Sequence, residues 1–134
     1  MGTPTDTVLA FLAELEHPGG FVAGVRRFFT PTTHYLNVGM SDTTGIEDTV
    51  AFVQGFEAQT GMVSMKVDML AIAETGSKVL TERIDYLHAA DGSLVMALAV
   101  MGIFEVEDGK ITAWRDYFDT LTATGSATGG DLPA

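Results

Sequence analysis

The chain has 134 residues, 46% of them hydrophobic and 19% charged, which is apolar material for one packed domain and too short a length for two ordinary ones. Seven Lys and Arg stand against eighteen Asp and Glu, a formal net charge of -11, so the surface repels nucleic-acid backbones and anionic lipid alike. With no cysteine, disulfides, thiolate metal sites and thiol nucleophiles are excluded, and three scattered histidines lack metal-binding spacing.

The opening "MGTPTDTVLAF" has no basic n-region, and the longest apolar run, Leu94 to Phe104, falls well short of the roughly 20 residues a membrane-spanning helix needs. A cytoplasmic protein without nucleic-acid or membrane partners is expected. "TDTVLAFLAELE" predicts a first helix, with Thr5 or Asp6 as N-cap and Val8, Leu9, Leu12 and Leu15 on one stripe, ended by Pro18-Gly19-Gly20. "FVAGVRRFFT" predicts a second, with Phe21, Val22, Val25, Phe28 and Phe29 inward, stopped near Pro31. "THYLNVGM" reads as a short strand. A third helix begins near Gly45, capped by Thr43 or Thr44, with Ile46, Val50, Val53 and Phe56 facing in.

From Met62 the period becomes alternating, and turn signals at Thr75-Gly76, Asp91-Gly92 and Asp108-Gly109 cut the remainder into four strands of an antiparallel meander. Three helices followed by such a sheet give an α+β fold whose helices close one sheet face. The domain spans residues 1–121, and the polar tail 122–134 is expected to be mobile. In the third long strand Leu94, Met96, Leu98, Val100 and Phe104 occupy one face and Val95, Ala97, Ala99, Met101 and Ile103 the other, all apolar. Helices cover only one of these faces, so a homodimer packed sheet against sheet is expected.

Charges interrupt two of the buried strands. In "TERIDYLH" Thr81, Arg83, Asp85 and Leu87 share a face, as do Trp114, Asp116 and Phe118 in "AWRDYFD". Burying a charge costs several kcal/mol unless it is paired. One arginine can clamp two carboxylates, and a protonated and an ionised carboxyl facing one apolar cavity can act together as general acid and base. A satisfied buried ion network would use the same residues. Tyr35 and Asn37, also two apart, could hold a water with a carboxylate, or serve as a strand aromatic and a turn residue. His34 and His88 fall on faces opposite Tyr35 and Leu87, Glu82 faces away from Arg83, and no Ser or Thr lies in a nucleophile elbow. The methionines read as core filler, with Met62 and Met96 suited to an adaptable pocket wall, and the glycines as turn markers.

The stretch "TERIDYLHAADGSLVMALAVMGIFEVEDGKITAWRDYFD", together with Tyr-x-Asn at Tyr35 and Asn37, resembles the limonene-1,2-epoxide hydrolases. The resemblance implies the nuclear transport factor 2-like fold, a cone-shaped, strongly curved mixed or antiparallel sheet with three N-terminal helices closing a deep apolar pocket. It also implies cofactor-independent hydrolysis of an apolar epoxide to a vicinal diol, without a covalent intermediate. Asp116, helped by Tyr35 and Asn37, would deprotonate a water, Asp85 would protonate the epoxide oxygen, and Arg83 would bridge the two acids. Met62, Val67, Leu87, Leu98, Val100, Trp114 and Phe118 would line the pocket. Ser64 and Ala97 depart from the family pattern, which bears on the substrate. A ketosteroid-type isomerase and a non-catalytic pocket protein are the alternatives on the same fold.

Overall fold

Thr3 caps the first helix, α1 (Pro4–Glu14), in the computed structural model, which describes residues 2–123. The Thr3 hydroxyl accepts from the Asp6 N–H at 3.1 Å and the Asp6 carboxylate accepts from the Thr3 N–H at 3.0 Å, with Pro4 at the first helical position, where an N–H is not needed. The expected cap at Thr5 or Asp6 is thereby corrected, Asp6 being the reciprocal half of a capping box. The buried stripe is Val8, Phe11, Leu12 and Leu15, while Leu9 stays 45% exposed.

The second helix, α2 (Gly20–Phe28), stops before Pro31, because the chain turns extended at Phe29 and runs on as β1 (Phe29–Asn37). Pro31 is tolerated inside the strand since the pairing of β1 to its neighbour is irregular between Phe29 and His34. A short strand absent from the sequence reading, β2 (Ser41–Thr44), pairs back antiparallel on β1. Its sequence, Ser-Asp-Thr-Thr, has no apolar residue and so no alternation to read. The third helix, α3 (Ile46–Thr60), is preceded by Gly45 in place of a threonine cap. Gly45 adopts φ 87°, its N–H donates to the Thr33 carbonyl at 2.8 Å, and a Cβ there would meet the Pro31 carbonyl oxygen at 2.6 Å.

The four long strands, β3 (Met62–Thr75), β4 (Lys78–Ala89), β5 (Leu94–Glu107) and β6 (Lys110–Phe118), form the expected meander. The complete curved sheet is mixed, in the order β2-β1-β6-β5-β4-β3, because β1 joins β6 in parallel. Val8 and Phe11 of α1 with Leu15 at its C-terminal cap, Phe21 and Val25 of α2 and Val50 and Val53 of α3 bury against its inner face with Met65, Leu87, Phe104 and Trp114. On the other face Leu70, Met101 and Tyr117, each about half exposed, border a shallow hollow with Ile84 and Ala99. A last turn of helix, α4 (Thr120–Ala123), continues past the expected domain boundary at 121 and buries Ala123. Residues 124–134 of the expected tail lie outside the described residues. No helix among the described residues is long and apolar enough to cross a membrane.

Candidate active site

Strand periodicity and register bring the separated polar pairs together. Alternation turns Thr81, Arg83 and Asp85 of β4 inward, and likewise Trp114 and Asp116 of β6. Parallel pairing sets Tyr35 of β1 beside Trp114 and Asn37 beside Asp116. Strand β5 separates β4 from β6, and in the row that joins Thr81 to Asp116 it carries Gly102. A Cβ at Gly102 would overlap the Asp116 carboxylate and stand 2.6 Å from Arg83 Nη1. The missing side chain is therefore what lets the guanidinium cross β5 and reach the second acid.

Arg83 is fully buried, and all five of its N–H donors are engaged. Nε and Nη2 donate to Asp85 Oδ1 and Oδ2, each at 3.0 Å. Nη1 and Nη2 donate to Asp116 Oδ1 and Oδ2 at 3.2 and 2.8 Å. The remaining Nη1 proton goes to the Thr81 hydroxyl at 2.9 Å, and that hydroxyl donates in turn to the Gly102 carbonyl at 2.9 Å. Asp116 Oδ1 also accepts from the indole Nε1 of Trp114 at 2.7 Å. Trp114 is itself fixed by stacking on Tyr35 (ring centroids 4.2 Å apart) and Phe104 (4.9 Å) and by the edge contact of Phe11 (5.3 Å). Tyr35 Oη donates a long hydrogen bond, 3.4 Å, to Asn37 Oδ1, and Asn37 Nδ2 donates to Ser41 Oγ at 2.9 Å.

Burial pushes the Asp116 carboxyl above the ordinary carboxylate range against the pull of Arg83, and the charge of Asp85 adds to the push. Burial likewise raises the Tyr35 phenol, with Asp116 contributing, so it stays a neutral hydrogen-bonding group. For Arg83 burial works against the charge, but the two adjacent carboxylates outweigh it and the guanidinium remains a cation. Two acids thus share one permanent positive charge, and the set carries a net negative charge unless one acid holds a proton.

Tyr35, Asn37, Asp85 and Asp116 face one narrow cavity of about 50 Å³, which has room for water, while Arg83 lies behind its wall. Of the wall residues expected from the sequence, Met62, Leu87, Leu98, Val100, Trp114 and Phe118 line it. Val67 does not: it pairs with Asp85 across β3 and β4 but packs beside the core, outside the wall. The sequence reading missed Phe21, Phe52, Phe56 and Ala123 from the helices, Met40 from the connection before β2, and Met65 from β3. Met40, Phe52, Phe56 and Ala123 also border a wider hollow of about 660 Å³ between α3 and the start of β5, which adjoins the inner cavity. His34 pairs with Asp42 at 2.6 Å near the surface and takes no part in the cavity. Gly102 was missed as well, although a glycine inside the apolar run "LVMALAVMGIF" is the signal for a close approach in mid-strand.

The catalytic-domain family of limonene-1,2-epoxide hydrolases matches residues 2–127 of this chain. The chain is 42% identical over 85 residues to the epoxide hydrolase EphG of Mycobacterium tuberculosis, a match over 63% of this chain and 54% of that protein, so it spans about half the length of that relative. The solved structure of a limonene-epoxide-hydrolase-like epoxide hydrolase from M. tuberculosis superposes with a TM-score of 0.72 at 33% identity, covering 91% of this chain and 86% of that one. A SnoaL-like polyketide cyclase from a Jannaschia species superposes equally well, with a TM-score of 0.72 over 94% and 93% of the two chains, but at 18% identity it shares the fold alone.

Proposed function

This chain belongs to the limonene-1,2-epoxide hydrolase family, and from that membership we propose that it opens an apolar cyclic or terpene-like epoxide to a vicinal diol by direct attack of water. The observation that carries the reading is the single guanidinium bridging two carboxylates that both open onto the cavity shared with Tyr35 and Asn37. Asp116, Tyr35 and Asn37 hold the attacking water, and Asp116 takes its proton as the new C–O bond forms. Asp85 gives its proton to the epoxide oxygen as the old C–O bond breaks. Three N–H donors on Asp116 against two on Asp85 offset part of the burial that raises the Asp116 carboxyl and support its part as the ionised base.

The arrangement suits a strained ring. One proton enters the acid pair as another leaves it, so the buried set of two acids and Arg83 keeps the same total charge throughout. No charge has to be created in the apolar interior at the transition state. The base needs a carboxyl poised above its ordinary range, which burial supplies at Asp116. Substrate larger than the inner cavity enters from the wider hollow and displaces the flexible side chains of Met40, Met62 and Met65. A ketosteroid-type isomerase would need one base and one hydrogen-bond donor, and would leave the second arginine-bound acid without a task.

The homodimer expected from the sequence is part of the same proposal, with the half-exposed Leu70, Met101 and Tyr117 at its centre.

Single-turnover hydrolysis of limonene-1,2-epoxide in 18-oxygen water tests the chemistry: the first diol formed carries the label. Unlabelled diol would identify an enzyme carboxylate as nucleophile and overturn the mechanism. Asp85→Asn and Asp116→Asn each lose about 100-fold or more in kcat while keeping the near-ultraviolet circular dichroism of the parent.

A further inference from the structure

Four of the five donors of Arg83 go to the two acids, and the fifth is taken by a residue outside the acid–base set. Thr81 is 2% exposed, its hydroxyl accepts from Arg83 Nη1, and its own proton is committed to the Gly102 carbonyl. That second bond turns the hydroxyl's free lone pair toward the arginine. Nη1 is also one of the two nitrogens that reach Asp116, so Thr81 and Asp116 bind the same end of the guanidinium from two sides. The other end is held by Asp85 through Nε and Nη2. Without Thr81 the Nη1 end would be held by Asp116 alone, and the guanidinium could rotate about its Asp85 contacts, lengthening the Nη1 bond to Asp116, at 3.2 Å already the longest of the set.

We propose that Thr81 is a positioning residue for the hydrolysis: it fixes the plane of the Arg83 guanidinium so that both acids stay bridged and Asp116 is presented as the ionised base. Thr81 touches neither the cavity nor the reacting atoms, and its effect passes through Arg83 to Asp116. This inference rests on the hydrolytic reading for its kinetic consequence, but not for the coupling itself.

The coupling has its own reporter. Trp114 is the only tryptophan of the chain, and its indole N–H donates to Asp116 Oδ1, so ionisation of Asp116 changes the tryptophan emission with no substrate present. The charged and titratable groups that face Asp116 are Arg83 and Asp85 from β4 and Tyr35 from β1, which is neutral throughout the relevant range. Loss of an N–H donor disfavours the carboxylate, so a loosened Arg83 moves Asp116 ionisation to higher pH. Activity needs the ionised base, so the acid limb of kcat/KM moves up with it.

The experiment compares Thr81→Val, which keeps the shape and removes the hydroxyl, with Thr81→Ser, which keeps the hydroxyl, and with Thr81→Ala should the valine variant not fold. Expected for Val or Ala are kcat per folded molecule down about 10-fold with KM little changed, and the fluorescence titration and acid limb both displaced upward by about half a pH unit or more. Serine restores all three. An unmoved fluorescence titration in a folded Val or Ala variant overturns the proposal, as does a Ser variant that behaves like Val. If the parent hydrolyses no epoxide, the proposed function fails, and the fluorescence titration still decides the role of Thr81.

Discussion

At the scale of single residues, Gly102 does as much for the site as any charged side chain. Its missing side chain lets two strands that are not neighbours share an arginine. Gly102→Ala puts a methyl where Asp116 and Arg83 meet. The carboxylate has to move away, at least one of the two Arg83–Asp116 bonds is lost, and a buried charge is left half-paired. The expected cost is about 2–4 kcal/mol of stability, from overpacking and the weakened ion pair. Activity falls by about 100-fold or more, because the base is displaced from the water site. Urea unfolding and steady-state kinetics on the purified variant measure both, and an alanine variant with parental kcat would contradict the crossing geometry. The same residue shows where reading the sequence stops. Arg83, Asp85 and Asp116 were visible because charge in an apolar strand is conspicuous. The significance of a glycine in such a strand depends on which neighbours the register sets beside it.

At the scale of elements, the helices were legible where hydrophobic spacing governed and misread where caps did. Leu9 fits the apolar stripe of α1 by spacing, yet the helix is rotated so that Phe11 takes the core position against Trp114. The start of α3 is set by backbone geometry: Gly45 turns the chain at φ 87° against Pro31, which no other residue does without strain. Gly45→Ala combines an unfavourable φ with contact against the Pro31 carbonyl, for an expected loss of about 1–3 kcal/mol, read as a lower urea midpoint at unchanged slope. The effect extends to the cavity, since Phe52 and Phe56 stand on the same helix. The helix and loop contributions to the wall escaped the sequence reading for a related reason. Strand residues announce their face by alternation, whereas Phe21, Met40, Phe52 and Phe56 reach the cavity only through the way helices and loops pack over the sheet.

At the scale of the whole molecule, the meander and the helix layer followed from periodicity and turn residues, while β2 and the parallel joining of β1 to β6 did not. Pairing between distant segments leaves no local pattern. The apolar outer face remains the feature that a single chain leaves unsatisfied: Leu70, Leu80, Met101 and Tyr117 are each 42–55% exposed. The proposed homodimer covers them. Sedimentation at micromolar concentration is expected to give twice the 14.2 kDa chain mass, and Met101→Glu to shift it to the monomer, since a buried unpaired carboxylate opposes the interface. A parent protein that sediments as a monomer removes the dimer without touching the chemistry, because every acid–base residue lies on the inner face.

The parallel seam between β1 and β6 also sets an order of events during folding. The hairpins that bring Arg83, Asp85, Gly102 and Asp116 into line are local and form early, whereas Tyr35 and Asn37 arrive only when the amino-terminal strand closes across most of the chain length. The ionic half of the site is thus assembled before the half that holds the water. During refolding the sheet signal is therefore expected to precede catalytic competence, the last event being the docking of β1 onto β6.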